Sequence, residues 1–170
     1  MSQVQARRAA RRPTAGQRHL LAGGRRSALA LAARRRSQLG QLFRSAKVGA
    51  IPDGRGRGVV LLGTGGLLGR LFARGSYLLL WRGKVVDARA GRLKNLISPL
   101  AIPAISAEVY RDRSWYDAKP CIVLDYSTRS FVARKVRDEI REVSPGLFLG
   151  LVFLGRRHVL DFALDFSERR

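Results

Sequence analysis

The chain has 170 residues, the size of one domain, and 46% of them are apolar, enough to build a core. Its formal charge is +21, and its single cysteine excludes an intrachain disulfide and a cysteine-rich zinc site and suits a reducing, cytoplasmic setting. No run reaches the roughly 20 apolar residues of a spanning helix, since Arg70 and Arg74 break the best stretch, Gly58 to Trp81.

Residues 1–52 contain twelve Lys or Arg and no carboxylate. Within them Leu29, Leu31, Leu39, Leu42 and Phe43 recur at rough helical spacing, which predicts helices near Ser27–Arg35 and Ser37–Ala46. The segment reads as a phosphate-binding arm, a targeting peptide or a solvated extension. Phe43 is its one aromatic residue, so nonspecific contact with nucleic acid or an anionic membrane surface is expected, rather than sequence recognition. IPDGRGRG, Ile51 to Gly58, reads as a turn-rich boundary, dividing a basic extension, 1–50, from a globular domain, 51–170.

VVLLGTGGLLGR, Val59 to Arg70, has the outline of a dinucleotide fingerprint. That fingerprint needs G-x-G-x-x-G so that backbone amides can approach a pyrophosphate. After Gly63 and Gly65 the third position is Leu68, and no strand–helix–strand rhythm follows. The stretch therefore predicts a turn into an apolar helix, and no cofactor.

Short strands follow. Lys84–Ala88 and Arg92–Ile97 flank Arg89-Ala90-Gly91 as a hairpin, and Ser98-Pro99 and Ile102-Pro103 break the chain. Ala104–Arg111 alternates, Asp112–Lys119 makes a loop, and Pro120–Tyr126 is strand-like, with Cys121 as a small buried hydrophobe. Ser127–Arg134 suits a short helix and Val136–Val143 a strand. Gly146–Gly155 reads as a buried strand. In the last strand His158, Leu160, Phe162, Leu164 and Phe166 share one face. The expected fold is mainly β with helices (α+β), a small antiparallel barrel with a flanking helix.

Candidate chemistry is sparse. His158 is the one histidine outside the extension, without a second His or Cys at metal-ligand spacing. Asp125 ends an apolar strand, where it caps the next turn or meets Arg137 at the barrel mouth. Glu139 lies among alternating charges that suit a solvated face. Tyr110, Trp115, Tyr116 and Tyr126 bracket the same strands, as pocket rim or as packing.

In order, Gly83-Lys84 with Asp87, Tyr110, Trp115-Tyr116-Asp117, Asp125-Tyr126, Arg137-Asp138-Glu139 and Gly146–Gly150 resemble a poorly characterised bacterial family of small lipocalin-like proteins. The likeness spans about Ile51 to Phe166 and extends, more distantly, to plastid lipid-associated proteins. It implies a lipocalin-like barrel with an interior sized for a lipid or other small ligand, and carries no catalytic residues with it.

The expected function is binding of a small apolar or amphipathic ligand in the barrel, its polar end met by Arg137, Tyr126 or His158. The expected ligand-binding set is Tyr110, Trp115, Asp125, Tyr126, Arg137, Glu139 and His158. The alternatives are a cofactor-independent acid–base enzyme using His158 with Asp125 or Glu139, and a nucleic-acid-associated protein acting through the N-terminal arginines.

Overall fold

The computed structural model describes residues 24–61, 81–97, 102–129 and 133–167. Among these residues two helices, α1 (Gly24–Ala32) and α2 (Arg36–Ser45), precede eight strands. These are β1 (Gly54–Leu61), β2 (Trp81–Asp87), β3 (Arg92–Ile97), β4 (Ile102–Arg113), β5 (Pro120–Asp125), β6 (Val136–Ser144), β7 (Leu147–Leu154) and β8 (Arg157–Asp165). Each strand pairs antiparallel with the next, and β1 pairs with β8 from Arg57↔Asp165 to Leu61↔Asp161, which closes the barrel. Among the described residues the chain forms an eight-stranded up-and-down barrel of lipocalin-like form with two small helices.

The alternation of side chains sorts two cores. Val86, Leu93, Ala107, Ile122, Leu124, Ile140, Phe148, Phe162 and Leu164 form one cluster with contributions from β2 to β8, which is the barrel interior. Cys121, Val123, Leu149, Leu151, Phe153 and Ala163 face the other way, where Leu31 of α1 and Leu39 and Phe43 of α2 cover them. Both faces of β7 are therefore buried, and LFLGLVFL is apolar almost throughout. After α2 the chain bridges Lys47 to Glu142 of β6 and packs Val48 and Ile51 against the interior cluster. This contact lies at the barrel end near the β2–β3 and β6–β7 turns.

Three sequence expectations change. IPDGRGRG is half strand: β1 begins at Gly54, and its glycines leave room for the rings of Phe166 over Gly56 and Trp81 over Gly58. Pro103 lies inside β4 rather than ending a segment, opposite a register shift between Lys94 and Leu96, where a missing N–H is tolerated. Ser127–Arg129 and Ala133–Lys135 are turns and bends instead of a helix. The GTGGLLGR half of the glycine-rich stretch lies outside the described residues. Among the described residues no helix is long and apolar enough to cross a membrane.

Candidate functional site

Lys84 of β2 and Asp138 of β6 stand four strands apart around the barrel, yet their side chains meet. Only a path across the interior permits this. A register shift between Trp81 and Gly83 resets the alternation of β2, so Trp81 and Lys84 both point inward. Lys84 is 3% exposed and Asp138 4%.

The Lys84 ammonium uses all three protons. It donates to Asn95 Oδ1 at 2.7 Å, to the Tyr126 hydroxyl at 2.5 Å and to Asp138 Oδ2 at 3.0 Å. Tyr126 accepts a second bond from Asn95 Nδ2 and donates to Asp138 Oδ2, both at 3.1 Å. Trp81 Nε1 donates to Asn95 Oδ1 at 3.3 Å. Among the described residues Asp138 Oδ1 is left over, buried and without a hydrogen-bond partner. Burial lowers the Lys84 pKa below its ordinary value although the Asp138 carboxylate opposes it. Burial, then the charge of Asp138, raises the Tyr126 hydroxyl well above its usual range. Lys84 also lies 5.3 to 5.5 Å from the ring centroids of Trp81, Tyr126 and Phe162. The cluster occupies the half of the barrel nearer the β5–β6 and β7–β8 turns, away from the end where Val48 and Ile51 pack.

Of the seven residues expected from sequence, Tyr126 alone belongs to this cluster. The other six lie on the outer face. Arg137 and Glu139 flank Asp138, so strand alternation turns them outward, where the 114–119 loop folds over them. Glu139 is fully buried and accepts bonds from the Ser114 hydroxyl, the Trp115 N–H and Arg137 Nε. Trp115 is held between the guanidinium groups of Arg137 and Arg156, 4.4 and 4.6 Å from its ring centroid. Asp125 caps the following turn by accepting from Ser127 N at 2.8 Å, and it also accepts from the Tyr110 hydroxyl. Burial and that bond push the Tyr110 pKa up to about 12.

His158 is the largest departure. The pairing runs Val152↔Leu160 and then Phe153↔His158, so Val159 is an extra residue that reverses the alternation. Phe162, Leu164 and Phe166 point inward as expected, whereas His158 points outward against Phe153 and Tyr116 and contacts Asp161 Oδ1 at 2.7 Å. It faces neither Asp125 nor Glu139. Asp125, Arg137, Phe153 and His158 sit in one row across β5 to β8, which separates the histidine from Asp125 by about 14 Å. The polar contact of the His158 ring is with Asp161, and the hydrogen bonds of Glu139 are with Ser114, Trp115 and Arg137. Among the described residues no group of His, Cys, Asp and Glu could hold a metal ion.

Sequence reasoning missed Lys84, Asn95 and Asp138. Their signal was parity: Asp138 shares a face with Ile140, and Asn95 with Leu93. A lysine or aspartate is so seldom buried that each reads as surface until its strand is placed.

No family model matches the chain, and no curated protein does. A crystal structure of a protein from Thermomonospora curvata is similar, with a TM-score of 0.59 and 18% identity, over 90% of this chain and 98% of that one. At this identity the likeness concerns the fold alone, and it supports kinship in architecture with a bacterial barrel protein.

Proposed function

We propose that the barrel binds a small apolar or amphipathic ligand, with its polar end on the Lys84–Asp138–Tyr126–Asn95 cluster. The observation that carries this reading is a charged pair, with Asn95 and Tyr126, buried in an interior lined mainly by apolar side chains. An apolar core of similar volume often serves stability as well as a buried ion pair does, so a pair kept there invites a role beyond folding. Phe162, Val136 and Val152 pack in the same half of the interior and supply apolar contact, and an eight-stranded barrel is either filled by its own side chains or holds one small ligand. Val48 and Ile51 pack against the interior from the opposite end.

Native mass spectrometry of the full chain, followed by organic extraction, tests this. A stoichiometric small molecule that is retained by the wild type and lost from Lys84→Met is the expected result. A protein that carries no organic ligand and takes none up from a lipid extract would end the proposal.

A further inference from the structure

We infer that the ligand presents a neutral hydrogen-bond donor, an aliphatic alcohol or phenol hydroxyl, and that Asp138 Oδ1 is the atom that receives it. This rests on the ligand-binding reading above and adds the chemical class. Its basis is a count of donors and acceptors. All three Lys84 protons are committed, to Asn95, Tyr126 and Asp138. The Tyr126 proton goes to Asp138 Oδ2, and the Trp81 N–H to Asn95. What the cluster lacks is a donor, because Asp138 Oδ1 is buried without a partner among the described residues.

A fatty-acid carboxylate would bring two acceptors to a cluster whose ammonium has no proton left to give. It would also set its charge beside that of Asp138. An amine would avoid this but carries its own charge into the interior. Lys84 and Asp138 already sum to zero, so a charged head of either sign would be left unneutralised, at a cost that grows with burial. A hydroxyl donates once to Oδ1 and adds no charge. A hydrogen bond to a charged acceptor is worth about 1.5–3 kcal/mol, or roughly 10- to 100-fold in affinity.

The probes are 1-decanol, decanoate and decylamine, which share one chain and differ in the head group. Binding to the full-length protein is followed by calorimetry and native mass spectrometry. Decanol should bind at least about tenfold more tightly than either charged analogue. Asp138→Asn replaces the open acceptor with an amide of the same shape and leaves the Lys84 charge without its partner. This variant should reverse the order and favour decanoate, which a purely structural Asp138 would not cause. Binding in which decanoate equals or exceeds decanol in the wild type overturns the inference and leaves the ligand reading in place. So does a selectivity that Asp138→Asn leaves unchanged. Failure of all three probes to bind removes both.

Discussion

Each buried charge in this barrel is tied to a particular partner, and the two kinds of tie behave differently on mutation. Removing Lys84 leaves Asp138 as an uncompensated carboxylate in the interior. Lys84→Met should therefore lower stability by about 3–5 kcal/mol, read from urea denaturation. The double variant Lys84→Met/Asp138→Leu removes both charges and should regain most of that loss. A double variant as unstable as the single one would show that Asn95 and Tyr126, rather than the ion pair, hold the cluster together. Arg137 and Glu139, immediate neighbours of Asp138, serve the opposite face and fix a loop. One residue of sequence separates two unrelated environments.

At the scale of elements, Arg141 joins three pieces of chain. It forms a two-pronged pair with Asp117 at 2.7 Å on each side and donates to the carbonyls of Phe43, Lys119 and Pro120. Although burial opposes it, the Arg141 hydrogen bond, with a backbone N–H and nearby positive charge, holds the Asp117 carboxyl below its usual range. Arg141→Lys keeps the charge but lacks the planar fork, so it should still destabilise and should speed hydrogen exchange in α2 and residues 114–119 first. Unchanged protection of α2 would remove the clamp role. Much of this level was legible in sequence. The hairpin at Arg89–Gly91, the two helices, and the strands β5 to β8 follow from turn chemistry and alternation. The interior site was not legible, because register shifts at Gly83 and Val159 change which face a side chain serves. A shift of one residue moved His158 out of the expected site, and another let Lys84 share the interior with Trp81. Such irregularities depend on partners distant in sequence, and no local pattern announces them.

For the whole molecule, closure depends on how nearly β1 and β2 can approach. Gly83 has φ +129°, a conformation that side chains rarely adopt, and a Cβ there would overlap the Gly56 carbonyl and crowd the Gly58 nitrogen. Gly83→Ala should part β1 from β2, expose two strand edges and cause aggregation, which size-exclusion chromatography would report. A monomeric, fully folded Gly83→Ala protein would show that the barrel relaxes around this contact. The seam between β1 and β8 has a consequence in time as well as in space. Leu61 finds Asp161 about a hundred residues further along the chain, while the other seven pairings join neighbouring strands. During synthesis β1 leaves the ribosome early and must wait for its second partner with one edge unpaired. The hairpins can form as they emerge, but the enclosed interior, and with it the Lys84 cluster's isolation from water, comes into being only when β8 arrives. Final folding is therefore a late and concerted event, and the half-made sheet is the stage at which a chaperone would matter most.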